Sequence, residues 1–269
     1  MSHFSEAWLA LREPADHAAI NAGVRQRLRQ YFADAGAIQI VDFGCGTGSN
    51  LRSLTPDLPA GQAWTLVDHD AQILAIAEQR TMSSASCQRV ASVRTQGADL
   101  ATDDISHLIM EADLVTAAAF FDLVSQAFID QMAAKIAKAG AAFLAILTYD
   151  GIVAWLPQHP LDPALRAAFN THQRSDKGFG IAAGPDATDA LAAAFVRHGY
   201  TVIRGASPWM LTSRFSELRR QTDEGWAHAV AETGRIAPAD LQAWKDFRET
   251  ASSAVTIVGH EDLLALPPE

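Results

Sequence analysis

Three glycines separated by single residues form the segment of this sequence with the clearest chemical meaning. They follow an apolar run within Val41-Asp42-Phe43-Gly44-Cys45-Gly46-Thr47-Gly48-Ser49-Asn50. Glycines at positions 44, 46 and 48 let the chain turn sharply and leave backbone N–H groups open to a ligand. A dinucleotide-binding loop needs glycine at its first, third and sixth places, and the sixth place here is Ser49. The segment therefore predicts a nucleoside-binding loop and weighs against a pyrophosphate ligand.

Two carboxylates follow the next strand-like segment. Asp68 ends Trp64-Thr65-Leu66-Val67-Asp68 and stands 20 residues beyond Gly48. A carboxylate at such a strand end can accept hydrogen bonds from both hydroxyls of a ribose. We expect Asp70 to cap the helix that follows. His69 lies between them and either packs on the nucleoside or is exposed.

The glycine loop resembles the first motif of class I S-adenosylmethionine-dependent methyltransferases. The resemblance covers residues 38–147 well and the remainder by topology only. It implies that the loop carries the methionine half of the cofactor, that Asp42 orients it and that Asp68 binds the ribose. Asp99 then accepts from the adenine amine or, alternatively, caps a short helix. The cofactor-binding residues implied are Asp42, Gly44, Cys45, Gly46, Gly48, Asn50, Asp68, His69, Asp99, Leu100 and Ala117.

Strand-like and helix-like segments alternate along most of the chain. The predicted strands are Ile38–Phe43, Ala63–Val67, Arg89–Thr95, Asp113–Ala118, Ala141–Leu147, Tyr200–Ala206 and Val255–His260. The predicted helices are Pro14–Phe32, Asp70–Arg80, Ser125–Lys138 and Asp186–His198. This βαβ rhythm predicts an α/β fold with a doubly wound, mostly parallel, seven-stranded sheet and helices on both faces.

Segments outside this rhythm define the expected domain organisation. Residues 1–37 are an N-terminal helical cap, and residues 38–269 are a Rossmann-like methyltransferase domain. Residues 149–184 lack clear periodicity and are expected to form a lid over the site. Residues 213–250 are expected to insert a pair of amphipathic helices before the last strand.

Residues in these variable segments are the candidates for acceptor binding and catalysis. Methyl transfer needs alignment, and a general base only where the nucleophile must lose a proton. The candidate catalytic residues are His172, Tyr149 and Asp122, with His172 leading because imidazole titrates near neutrality. Asp122 alternatively caps a helix, and the polar loop around His172 is alternatively only solvated. The candidate substrate-binding residues are Arg12, Phe120, Phe121, Arg174 and Lys177.

Several of these assignments have alternatives in the sequence. Phe120 and Phe121 either wall the pocket or belong to the core. Arg12, Asp16 and His17 are expected to close the pocket from the side opposite the lid. The segment after the fourth strand lacks the Asn-Pro-Pro-Tyr signature of the amide- and amine-methylating branch, which disfavours DNA adenine and glutamine as acceptors.

The composition of the chain disfavours several kinds of binding partner, namely nucleic acids, metal ions and membranes. The formal net charge is −10 and the arginines are scattered, so a nucleic-acid substrate is disfavoured. Cys45 and Cys87 are the only cysteines, and they offer no structural zinc spacing or disulfide framework. We expect no metal. The sequence has no long apolar span and starts without a signal-like stretch, so a cytoplasmic protein without membrane contact is expected.

These observations favour an S-adenosylmethionine-dependent methyltransferase acting on a small, polar or anionic molecule by in-line transfer, with S-adenosylhomocysteine as product. A protein that binds the cofactor without methyl transfer, such as a sensor or partner subunit, is an alternative. A nicotinamide-dependent oxidoreductase is a second alternative, and an enzyme that modifies the cofactor itself is a third. The acceptor, the methylated atom and the oligomeric state are left open.

Overall fold

The computed structural model describes residues 5–82, 88–251 and 253–268, and Cys87 lies outside them. Within these residues eight strands form one mixed sheet. They are β1 (Gln39–Phe43), β2 (Gln62–Asp68), β3 (Val90–Gly97), β4 (Leu114–Ala118), β5 (Ala142–Leu156), β6 (Thr201–Ala206), β7 (Trp209–Leu211) and β8 (Val255–Leu266).

The strand order confirms a doubly wound, mostly parallel sheet. It runs β3-β2-β1-β4-β5-β8-β6, with β7 paired to β8 as an additional strand. Strands β1 to β5 pair in parallel, whereas β8 is antiparallel to β5, β6 and β7. The three-residue strand β7 was not expected from the sequence, because so short a segment has no readable alternation.

Ten helices of five or more residues surround this sheet in the described ranges. They are α1 (Glu6–Ala19), α2 (Ala22–Tyr31), α3 (Ser49–Leu54), α4 (Ala71–Met82), α5 (Ser106–Met110), α6 (Gln126–Ala139), α7 (Asp162–Gln173), α8 (Ala187–Arg197), α9 (Ser216–Glu232) and α10 (Pro238–Thr250). The last pair confirms the predicted helical insertion.

Apolar cores cover both faces of the sheet because its central strands are apolar on both sides. In β1, Ile40 belongs to one core and Val41 to the other. In β5, Phe143 and Leu144 divide in the same way. The parallel strands consequently end at a common edge, where their connecting loops form the site.

A single N-terminal helix over Pro14–Phe32 was a wrong prediction. Two helices, α1 and α2, meet at Asn21, whose side chain accepts from the backbone N–H groups of Gly23 and Val24. Ser5 caps α1 in the same manner through Trp8. Helix α1 therefore starts upstream of Pro14. Because the chain turns at Asn21, α1 and α2 can point in different directions, and α1 can lie across the edge of the sheet.

The irregular lid predicted over residues 149–184 has more regular structure than expected. Strand β5 continues to Leu156 because its second half pairs with β8, and helix α7 follows. A third core unites these elements with α1, β7 and the helical insertion. In that core the rings of Phe169 and Trp226 stack with centroids 3.6 Å apart. Within residues 149–184, the stretches 157–161 and about 174–183 remain largely without helix or strand.

No helix in the described ranges is long and apolar enough to cross a membrane. The same residues contain no group of three or more histidine, cysteine or acidic side chains arranged to hold a metal ion.

Candidate functional site

A cleft opens at the carboxyl edge of the parallel strands. Its empty volume is about 1310 Å³, including the part open to solvent. The glycine loop and the ends of β2 and β4 line it on the sheet side, and α1 lines it from above. The residue pair Lys177 and Phe179 adds a further wall. The three residues that were expected to close the pocket all line the cleft: Arg12, Asp16 and His17.

The glycine loop adopts a conformation that requires glycine. Gly44, Gly46 and Gly48 have φ values of 58°, 51° and 78°, in the left-handed region that disfavours other residues. A Cβ on Gly44 would lie 3.0 Å from the Phe120 ring, and one on Gly46 would lie 3.3 Å from Leu9. The bare backbone therefore forms a cradle that a side chain would fill.

A buried polar cluster lies beneath this loop. Asn50 donates through Nδ2 to Asp42 Oδ1 at 2.9 Å and to Thr116 Oγ1 at 3.0 Å. In the part of the chain that the structure describes, Asp42 Oδ2 and Asn50 Oδ1 are buried without a hydrogen-bond partner. Burial raises the pKa of Asp42 to about 7, the Asn50 hydrogen bond opposes this rise, and the charge of Asp68 adds to it. Both residues line the cleft, so this cluster is suited to a cationic or hydrogen-bond-donating ligand group.

Asp68 lies at the end of β2 on the rim of the cleft. Its Oδ2 accepts from the Gly46 N–H at 3.0 Å and its Oδ1 from the Asp70 N–H at 3.1 Å. These bonds fix the carboxylate where ligand hydroxyls can reach its remaining lone pairs. The expected cap is confirmed, because Asp70 Oδ1 accepts from the N–H groups of Gln72 and Ile73. His69 also lines the cleft, with Nδ1 3.3 Å from Asp68 Oδ1.

The segment after β3 approaches the cleft through Ala98 and Leu100. Asp99 Oδ1 accepts from the Ala101 N–H at 3.0 Å, and its backbone N–H donates to Asp103. Asp99 therefore stabilises its own turn, and an adenine contact by its side chain stays a prediction. Ala117 is buried in the core beneath the site, whereas Ala118 and Ala119 line the cleft. The prediction that Ala117 contacts the ligand is therefore corrected to Ala118 and Ala119, the next two residues along the chain.

Helix α1 is tied to the glycine loop by a buried carboxylate. Glu13 accepts from Arg52 at 2.7 and 2.8 Å and from Arg80 at 2.8 Å. The same arginines donate to Thr47, Arg52 to its carbonyl oxygen and Arg80 to its hydroxyl. This arrangement fixes α1 over the loop that lines the cleft.

Arg12 lines the cleft from α1. It donates through Nε and Nη2 to the two oxygens of Asp16, at 2.8 and 3.2 Å. Its guanidinium carbon lies 5.0 Å from the centroid of the Trp209 ring, and Trp209 donates to Asp16. Arg12 is consequently preorganised at the wall where the sequence placed it.

The residues after β4 divide between cleft and core. Phe120 lines the cleft, whereas Phe121 is only 1% exposed and packs in the core, so its predicted substrate contact is wrong. Asp122 is buried, and its Oδ1 has no partner among the described residues. Burial raises the pKa of Asp122 to about 6, while a backbone hydrogen bond and Arg12 oppose the rise. The cleft is lined by its neighbour Leu123.

The other two catalytic candidates, Tyr149 and His172, do not line the cleft. Tyr149 is buried and donates to Asn170 Oδ1 at 2.7 Å. Burial, then the charge of Asp150, raises the pKa of Tyr149, so its hydroxyl stays protonated and cannot accept a proton near neutral pH. His172 contacts Lys177 and Glu232 and is not among the residues that line the cleft. A direct proton transfer by either residue is therefore unsupported by its position.

The two basic candidates differ in placement. Lys177 lines the cleft. Arg174 instead points to the surface and donates to Asp186 at 3.2 and 2.8 Å. The predicted substrate contact of Arg174 is corrected to a structural ion pair that holds the turn before α8.

Two non-glycine residues with left-handed backbone line the cleft and had no sequence signal. Ala119 has φ 49° and Leu147 has φ 56°. Each is held by a hydrogen bond, Ala119 N–H to Ile146 oxygen at 2.9 Å and Leu147 N–H to Asp262 Oδ1 at 2.8 Å. Such strain persists where surrounding structure overdetermines it, commonly at functional sites. Phe179, whose ring centroid lies 5.7 Å from that of Phe120, is a further missed wall residue.

Comparison with solved structures decides the fold family. A Geobacter sulfurreducens S-adenosylmethionine-dependent methyltransferase, solved with S-adenosylhomocysteine, is 15% identical with TM-score 0.51, over 100% of both chains. The chain has the fold of class I S-adenosylmethionine-dependent methyltransferases. The Bacillus subtilis protein YcgJ is similar at 12% identity and TM-score 0.53, over 93% of this chain and 100% of that one. No protein-family model and no curated protein sequence matches the chain.

Proposed function

We propose that the protein transfers the methyl group of S-adenosylmethionine to a small acceptor that carries an anionic group. The observation that carries this proposal is the position of Asp68. Its carboxylate is held at the end of β2 by the N–H groups of Gly46 and Asp70, directly beside a glycine cradle. That arrangement suits a ribose with two free hydroxyls next to a chain lying on the loop.

The residues present fit this cofactor. The glycine loop would hold the methionine half, and the unpartnered oxygens of Asp42 and Asn50 suit its ammonium group. Asp68 would hold the ribose, and Ala98 and Leu100 would contact the base. When bound, S-adenosylmethionine supplies a methyl group activated by a sulfonium charge.

Alignment is the main chemical task left to the chain. Phe120, Phe179 and Leu123 form an apolar wall that excludes water from the reacting atoms. Arg12 and Lys177 supply positive charge for a polar or anionic acceptor. Asp122, with its pKa raised to about 6, is the carboxylate best suited to accept a proton, but its unpartnered oxygen is buried and the residue does not line the cleft. The geometry thus favours acceptors whose nucleophilic atom does not have to lose a proton before the methyl group is transferred.

Calorimetry with three ligands tests the cofactor assignment. We expect S-adenosylmethionine and S-adenosylhomocysteine to bind and NADH to show no heat. Binding of NADH alone would favour the oxidoreductase. Incubation with methyl-tritiated cofactor and a small-molecule extract then tests turnover: label in a new compound supports methyl transfer. Binding without any labelled product would favour a sensor or partner subunit, and a modified cofactor would favour the cofactor-modifying enzyme.

A further inference from the structure

Two cations from distant parts of the chain line the acceptor side of the cleft. Arg12 comes from α1, and Lys177 comes from the segment after α7. Phe120 and Phe179 line the same cleft with their rings in edge contact. Arg12 also acts electrostatically on Asp122, two residues beyond Phe120, which places its charge near the end of β4. Positive charge and an apolar wall therefore occur together.

Lys177 is held by a chain of hydrogen bonds. Its Nζ lies 3.4 Å from His172 Nδ1, and His172 Nε2 lies 3.0 Å from Glu232 Oε2. An ammonium group only donates and a carboxylate only accepts. His172 must therefore accept at Nδ1 and carry its proton at Nε2. These hydrogen bonds hold the side chain of Lys177, a residue that lines the cleft.

The far end of this chain belongs to the helical insertion. Glu232 is the last residue of α9, which packs on α7 through Trp226 and Phe169. The insertion thus supports the position of Lys177, although Lys177 and Glu232 are 55 residues apart in the sequence. A solvated surface lysine would need no such support.

The formal charges of this region cancel, because the two cations Arg12 and Lys177 are matched by Asp16 and Glu232. Asp16 pairs with Arg12 through both carboxylate oxygens. Glu232 is joined to Lys177 through the His172 ring that lies between them. Arg12 Nη1 makes no hydrogen bond to the described residues and stays available for a ligand oxygen. A monoanion adds one uncompensated negative charge to such a balanced site and a phosphate dianion adds two, so the monoanion is favoured.

We propose that Lys177 and Arg12 form a subsite for the carboxylate of an otherwise apolar, small acceptor, and that His172 and Glu232 are positioning residues for the Lys177 amine. The description of this molecule as a methyl acceptor rests on the proposed function. The carboxylate subsite itself rests only on the contacts above.

Nuclear magnetic resonance of the four lysines tests the subsite. Protein with ¹³Cε-lysine, saturated with S-adenosylhomocysteine, gives one signal each for Lys135, Lys138, Lys177 and Lys245. Loss of a signal in Lys177→Met assigns the residue, with Lys245→Met as matched control. We expect benzoate to shift the Lys177 signal alone, and benzamide, its uncharged analogue, to leave all four unchanged.

Variants of His172 test the positioning role. His172→Gln retains an acceptor for Lys177 and a donor for Glu232, whereas His172→Phe keeps the ring size and loses both. We expect His172→Phe and Lys177→Met each to weaken benzoate binding about tenfold, as for one charge-assisted hydrogen bond. His172→Gln should restore most of the affinity. All three variants should bind S-adenosylhomocysteine as the wild type does.

Three results overturn the proposal. They are an unshifted Lys177 signal with benzoate, equal shifts with benzamide, and loss of benzoate and S-adenosylhomocysteine affinity in parallel in His172→Phe. Failure of the proposed function is distinguishable, because protein that does not bind S-adenosylhomocysteine would still show the benzoate response of Lys177.

Discussion

Asp68 and Asp70 are two residues apart and have different structural roles. The carboxylate of Asp68 is oriented by backbone N–H groups on the cleft rim, whereas Asp70 caps α4. A hydrogen bond to a charged group contributes about 1.5–3 kcal/mol, so two ribose hydroxyls would depend strongly on Asp68.

We therefore expect Asp68→Ala to weaken S-adenosylhomocysteine binding by at least about tenfold, as one such bond requires. Asp70→Ala should change the affinity far less and mainly lower the melting temperature. Calorimetry and thermal denaturation on both variants separate the effects. Equal dissociation constants for wild type and Asp68→Ala, with the fold intact by circular dichroism, would remove Asp68 from the site.

Asp42 predicts a pH dependence of cofactor binding. Its pKa of about 7 in the free protein exceeds the usual carboxyl value because of burial, with Asn50 opposing. A ligand ammonium nearby would favour the ionised form, so binding would release a proton below neutrality. Affinity for S-adenosylhomocysteine should rise as pH increases from about 5 to 7 and level off above that.

Calorimetry in buffers of different ionisation enthalpy measures this proton release. Asp42→Asn should abolish the pH slope. Asp122→Asn is the control, because the pKa of Asp122 is also raised, to about 6, but Asp122 does not line the cleft. A slope that persists in Asp42→Asn would assign the titration to another group.

At the scale of elements, one carboxylate joins α1 to the glycine loop. Burial opposes ionisation of Glu13, but hydrogen bonds and charges from Arg52 and Arg80 outweigh it, so its pKa is lowered. The stabilisation is present above the unfolded carboxyl pKa and is lost as pH falls through the folded value.

Glu13→Gln should cost about 3 kcal/mol at pH 7, since it leaves a buried guanidinium without its counter-charge. Hydrogen exchange should accelerate in α1 and in the loop at residues 44–48 together. Glu6→Gln, at an exposed position in the first turn of α1, is the matched control. Unchanged exchange in the loop would show that α1 and the loop are stabilised separately.

At the scale of the whole molecule, the third core carries a buried histidine. His260 packs against Trp209 and Tyr149, with ring centroids 5.2 and 6.4 Å away. Burial, and then the charge of Arg12, lowers the pKa of His260 to about 3. The unfolded chain therefore binds a proton that the folded protein excludes between about pH 6.5 and 3.

This histidine should make the protein lose stability as pH falls through that window. Urea unfolding at several pH values should show a shallower acid loss for His260→Phe than for the wild type. His228→Phe is the control, because the His228 side chain is 81% exposed. Identical pH profiles for wild type and His260→Phe would contradict a buried neutral imidazole.

The sequence by itself determined the parts of the site that depend on local pattern. Left-handed turns require glycine at 44, 46 and 48. The apolar pattern of the second strand shows where that strand ends, and Asp68 stands at this end. Alternating segments also predicted the doubly wound sheet, because each element carries its own periodicity.

Only the tertiary structure decided the acceptor side. Strand β5 runs on to Leu156 because β8, about 100 residues later, supplies its partner. Phe121 is buried while Phe120 lines the cleft, a difference set by packing across the sheet. Arg174 and Lys177 are three residues apart, yet Asp186 holds one at the surface and Glu232, through His172, supports the other in the cleft. Such contacts join distant segments whose local patterns are independent, so no short stretch of sequence contains them.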